Sequence, residues 1–431
     1  MNENLLQFIW KNRFFSKGPY HTIEGSMIEI LNTGIQNFNQ GPDFLNARIR
    51  IENTEWAGNI ELHIHTSDWY KHEHENDPNF RNIILHVVWI NDLSIFDQVA
   101  AAFPTLCIQP YISNHLLSRY AGLMVNNPFA KPCGSFLPAM SQLKWMSWKE
   151  RLVVERLERK AVKICNYLID VKQNWEMVSW WLLAANMGLK VNEHLFESVA
   201  RSIPLKIIAN HRNRIQQLEA LLLGQANLLN ETFDELYPQM LQKEFRFLQK
   251  KYRLEKQMIQ PAFLRMRPAS FPTLRLAQLA MLMQENDHLF DFFKNAENVN
   301  EVQKKLMVKP NDFWLYHYRF DDPGRFKEKR LGFAMVNSII INTVIPLLFA
   351  YGLMMREPIY QERALNWLMK ISAEKNRVTN IWTSYQVFNQ TAFDSQALLE
   401  LSNCYCQEKR CLECTVGISI LGNSLPIKSH I

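Results

Sequence analysis

Residues 44–66 read FLNARIRIENTEWAGNIELHIHT, and their alternation restricts the fold of the N-terminal part more than any other stretch. Leu45, Ala47, Ile49 and Ile51 alternate with Asn46, Arg48, Arg50 and Glu52. After a turn-like ENTEWAG, Ile60, Leu62 and Ile64 alternate with Glu61, His63 and His65. A two-residue period belongs to a strand with one apolar and one polar face, so the two runs predict an antiparallel hairpin. NIILHVVWI, residues 82–90, is apolar enough for a central strand, and TLCIQPYI supplies a fourth. Residues 4–15 read as a short helix, and SMIEIL, residues 26–31, as either a helix or a strand.

Past Pro138 the period changes. Leu152, Val153, Arg156, Leu157, Lys160, Ala161 and Ile164 recur at helical spacing, and further runs of the same kind follow to about residue 400. With 431 residues, 47% of them hydrophobic and only 14 glycines, the chain is long enough for two or three domains and too poor in glycine to be all-β. The expected class is α+β: a mixed α/β domain over 1–138 with a restriction-endonuclease-like sheet, an all-helical domain over 139–400, and a short cysteine-rich tail over 401–431. The most apolar stretch, Leu331–Met355, carries Asn337, Ser338, Asn342, Thr343 and Pro346. Unpaired amides are costly in lipid, which favours a core helix over a membrane span. The N-terminus has no secretory pattern, so the expectation is a cytoplasmic protein with no membrane partner.

Charge is uneven. Residues 1–140 hold 9 basic and 13 acidic residues, and the remainder holds 39 and 29. Acids near histidines suit a cation site, and a basic body suits a polyanion.

The acids and histidines have a pattern. Pro42–Asp43 is followed by Glu61-Leu62-His63, which resembles the PD-(D/E)XK nucleases with His63 in place of lysine. That likeness implies that Asp43 and Glu61 hold a divalent ion (Mg, Mn or Zn) and that His63, with Glu24 upstream, completes a catalytic set for cutting DNA or RNA. An imidazole can itself bind metal and shifts the preference toward transition ions. Five of the twelve histidines, His63, His65, His72, His74 and His86, lie close together with Asp77 nearby. His65, His72, His74, Asp77 and His86 are therefore further candidate ligands. In an extended segment His72 and His74 would grip one ion; on a helix they would diverge by about 200°. The alternative is that Glu61, His63 and His65 line a solvated face.

Cys404, Cys406, Cys411 and Cys414 fall within eleven residues. Cys406, Cys411 and Cys414 have the spacing to hold Zn or an iron–sulfur cluster, with Cys133 as a fourth ligand. Arg265, Arg267 and Arg275, interleaved with aromatics, are candidate phosphate contacts.

The blocks GPDF, GNIELHIHTSDWYKHEHEND, ILHVVW, LEALLLGQANLL, RMRPASFPTLRLAQLA and CLECTVG resemble a bacterial family known as domain of unknown function 2851. The resemblance spans Gly41 to Gly417 and brings no activity with it. On residues alone, three functions stand: a metal-dependent nuclease, a non-catalytic scaffold with a structural metal, and a His-rich hydrolase of a small substrate.

Overall fold

The computed structural model describes residues 1–74, 77–93, 103–125, 131–264 and 266–422. The chain forms two compact units. One comprises residues 1–145, 384–387 and 402–431, and the other residues 146–383 and 388–401. The cysteine-bearing segment is thus part of the N-terminal unit, not a separate tail.

The N-terminal unit is built on a seven-stranded mixed sheet. Its strands are β1 (Tyr20–His21), β2 (Met27–Asn32), β3 (Ile35–Gln36), β4 (Phe44–Ile51), β5 (Thr54–His65), β6 (Ile83–Ile90) and β7 (Thr105–Cys107), in the order β1-β2-β4-β5-β6-β7 with β3 on β4. The SMIEIL segment is strand. β4 and β5 pair antiparallel, Ala47 opposite Gly58, as their alternation requires. β5 and β6 pair parallel, Glu61 beside His86. A parallel pair cannot be closed by a tight turn, so the connection must cross a sheet face. That crossover contains the short helix α2 (Asp68–Lys71); α1 (Glu3–Asn12) precedes the sheet, and α3 (Asn114–Met124) and α4 (Gln142–Asp170) follow it.

Trp69 and Phe80 of the crossover pack with Ile83, Tyr70 and Phe103, which anchors the connection. Asn2 caps α1 by accepting from the Leu5 amide. The helix buries Leu5, Leu6, Phe8, Ile9 and Trp10 and packs on β5. β5 is therefore covered on both faces, and Ile60, Glu61, Leu62 and His63 are all buried. The solvated polar face that alternation also allowed does not exist at Glu61 and His63.

The other unit is helical. α4 buries Leu152, Val153, Leu157, Ala161, Ile164 and Leu168, the expected stripe. The apolar stretch forms a helix, Phe333–Met355, long and apolar enough to cross a membrane, yet 72% of its most apolar window is buried within the protein. Its polar residues have partners: Asn337 accepts from Gln303, Asn342 from Lys160, and the Thr343 hydroxyl from Asn186. A π-helical turn, Ile340–Val344, precedes Pro346, where the ring leaves the helix without a donor.

Candidate metal centre

Two irregularities in the sheet flank the centre. The β4–β5 ladder slips between Phe44 and Ala47, where Asn46 takes φ +57°. The β5–β6 ladder slips between Asn59 and Ile60. Such bulges re-aim side chains. Asp43 immediately precedes β4 and lies against Glu61. The Asp43 amide donates to Glu61 Oε2 at 2.9 Å, and the Leu62 amide donates to Asp43 Oδ2 at 3.1 Å. Gln7 of α1 donates to Asp43 Oδ1 at 2.7 Å.

Burial, then the mutual repulsion of the two carboxylates, raises the pKa of Glu61; burial also raises that of Asp43. Two such groups hold a proton or a cation readily.

The imidazoles continue the same face. Parallel register sets His86 beside Glu61, and period two sets His63 on the face of Glu61. His63 Nδ1 meets His86 Nε2 at 2.9 Å, and His63 Nε2 meets His72 Nδ1 at 3.2 Å. Glu61 Oε1 lies 3.7 Å from His63 Nε2 and 3.6 Å from His74 Nε2. Burial, and then the neighbouring imidazoles, push His63 and His86 down to about 3. They are neutral at ordinary pH, the form that binds metal.

His72 and His74 converge because the residue between them turns. Glu73 takes φ +56° just beyond α2, so the pair is neither on one α-helix nor in an extended strand. The His74 ring stacks on Phe80, 4.0 Å between centroids, and His63 meets Trp69 edge-on.

One ligand atom from each of His63, His72 and His74 lies within 4.8 Å of the others. A tetrahedral ion with bonds of about 2.1 Å spaces its ligand atoms about 3.4 Å apart. The 3.2, 3.6 and 3.7 Å separations fit that spacing. The atoms open onto a cleft of about 330 Å³, which Glu3, Gln40, Asp77 and Phe80 also line.

The remaining expected residues fall as follows. Asp77 is at the cleft, where it accepts from Asn79. His65 does not line the cleft: its ring is half exposed and sits 3.4 Å from Asp68. His86 lies behind His63 as its hydrogen-bond partner, not among the converging ligands. Glu24 is in an exposed turn between β1 and β2 and does not line the cleft. Arg275 is buried in the helix Pro272–Glu285, 8% exposed, bonded to Gln278; a phosphate backbone cannot reach it there. Arg267 is exposed before a 3₁₀ turn, and Arg265 lies outside the described residues. Gln7 and Glu3 are participants that sequence reasoning missed. They come from a helix remote in sequence, and no local pattern marks them.

No curated protein and no solved structure matches the chain. The chain belongs to the family described as Protein of unknown function (DUF2851), whose profile matches residues 3–377.

Proposed function

We propose that the chain is a metal-dependent hydrolase whose centre holds one divalent transition ion through His63, His72, His74 and Glu61. The observation that carries this is that one nitrogen from each of three imidazoles lies within 4.8 Å of the others, with Glu61 Oε1 3.6 and 3.7 Å from those of His74 and His63. Three nitrogens and an oxygen suit zinc, manganese or iron better than magnesium. The ion would polarise a substrate oxygen and acidify a bound water. Asp43 positions Glu61 through the backbone, and His86 fixes the ring of His63. A cytoplasmic setting belongs to this reading.

The nuclease reading is a narrower form of the same proposal, and with it the restriction-endonuclease-like assignment of the sheet. What favours it is Asp43, just before β4, lying against Glu61 of the adjacent β5. It would need a cationic track for the phosphate backbone, and no arginine or lysine is among the described residues lining the cleft. A cleft of this size and charge suits a small group better, with the ion supplying the positive charge. The test is metal loading followed by a hydrolysis panel: bis(p-nitrophenyl) phosphate, DNA, RNA and small esters, with zinc, manganese and magnesium. The proposal expects activity with a transition ion that Glu61→Gln and His72→Ala both abolish. Inactivity throughout, with full binding of the ion by His72→Ala, would leave a non-catalytic scaffold as the better description.

A further inference from the structure

All seven cysteines are free thiols, and four of them gather in one place in the N-terminal unit. The Cys133 sulfur is within electrostatic range of Cys406, Cys411 and Cys414. Cys411 is within range of Cys406, and Cys414 of both Cys406 and Cys411. All six pairs therefore interact, although no three of the sulfurs come within 4.8 Å of one another. Cys133 precedes the helical unit in the chain, and the other three follow it.

The local backbone explains the gathering. The Lys131 amide donates to the Tyr385 hydroxyl, and Gly134 lies against the Tyr385 ring, which leaves no room for a Cβ. The Lys131 side chain hydrogen-bonds the Cys406 thiol. Lys409 takes φ +53°, and its amide donates to the Cys406 carbonyl. This reverses the chain and brings Cys411 back. Gly417, in the helix Thr415–Leu421, passes so close to Cys411 that an added Cβ would sit 2.0 Å from its carbonyl oxygen. Cys414 directly precedes that helix and is 9% exposed.

We propose that Cys133, Cys406, Cys411 and Cys414 form a four-thiolate centre for an iron–sulfur cluster. Four free thiols in one neighbourhood match its donor set, and they stand wider apart than the roughly 3.8 Å that bonds of about 2.3 Å to a single zinc ion would set. Burial and the neighbouring thiols push Cys411 up to about 11 and Cys414 up to about 12, the opposite of a reactive cysteine. Cys165 stands outside the group. The centre would tie the segment that leaves the N-terminal unit to the one that returns, and it is independent of the hydrolase reading.

The test is zinc, iron and sulfide content, with the visible spectrum, of the full chain purified without oxygen. Iron and inorganic sulfide with a brown colour are expected, and the sulfide sets this centre apart from any ion in the cleft. Cys133→Ser and Cys414→Ser should each lower the sulfide content on the order of tenfold. Cys165→Ser should keep the sulfide, and so should His72→Ala, which separates this centre from the cleft. If the serine variants do not fold, a thiol-blocking mercurial added to the wild-type chain should release the metal as four thiols react. Absence of sulfide, a disulfide between any two of the four, or full sulfide in Cys133→Ser would overturn the proposal.

Discussion

His63 is held at both ring nitrogens by other imidazoles, His86 on one side and His72 on the other. A neutral ring has one donor and one acceptor; with an ion on Nε2 the Nδ1–H would donate to His86 Nε2, and that contact orients the ring. His86→Leu removes the inner partner without opening the sheet. It should weaken zinc or manganese binding about 10–100-fold and leave the circular dichroism unchanged, whereas His72→Ala should cost at least as much because a ligand is lost. Calorimetric titration of the two variants checks this; wild-type affinity in both would count against the assigned roles.

A second residue-scale prediction concerns Glu219. It is fully buried, bonded to Tyr237, Asn311 and Trp314, and burial pushes it up to about 7 from an ordinary 4.5. Between those two values the folded chain keeps a proton that the unfolded chain has lost. Stability from this group therefore falls as pH rises through the window, by up to about 1.4 kcal/mol per unit. Urea unfolding of wild type and Glu219→Gln at several pH values should show the gap between them narrowing from acid to neutral. A constant gap would contradict the assignment.

At the scale of elements, the parallel pairing of β5 with β6 makes the site. It sends the connection across the sheet, and that connection delivers His72 and His74 to His63. Period two in residues 44–66 made β4, β5 and the shared face of Glu61 and His63 legible in the sequence. The crossover was not legible, because strand direction is set by which partner a strand finds and not by its own alternation. The same gap hid Gln7, whose contact depends on α1 docking against β5. Gly58 tests this packing. A Cβ there would lie 2.5 Å from Ile84 Cγ2 and 2.8 Å from the Asn82 carbonyl, so Gly58→Ala must force β5 and β6 apart. It should cost about 1–3 kcal/mol and weaken metal binding with it, as thermal melts with and without zinc would show. An unchanged melting temperature would mean that the strands are less closely packed than described.

For the whole molecule, the N-terminal unit is discontinuous in sequence. The chain leaves it to build the helical unit and returns to complete it with residues 402–422, where the helix Thr415–Leu421 packs on α3 and Arg119 donates to the Ile420 carbonyl. Helical spacing after Pro138 announced the second unit, but nothing local links Cys133 to a segment so far downstream, so the last residues read as a separate tail. A chain ending at Leu401 should therefore lose stability in its N-terminal unit and not merely shed an appendage. Proteolysis should degrade residues 1–145 of that shortened chain faster than in the full one; equal resistance would restore the tail reading. The central claim is that the cleft beside Asp43 binds one transition ion. Anomalous diffraction from crystals of the full chain soaked in zinc or manganese tests it most directly. The account predicts one peak about 2.0–2.2 Å from donor atoms of His63, His72, His74 and Glu61, and a cleft with no peak, or an ion held without Glu61 and His72, would contradict it.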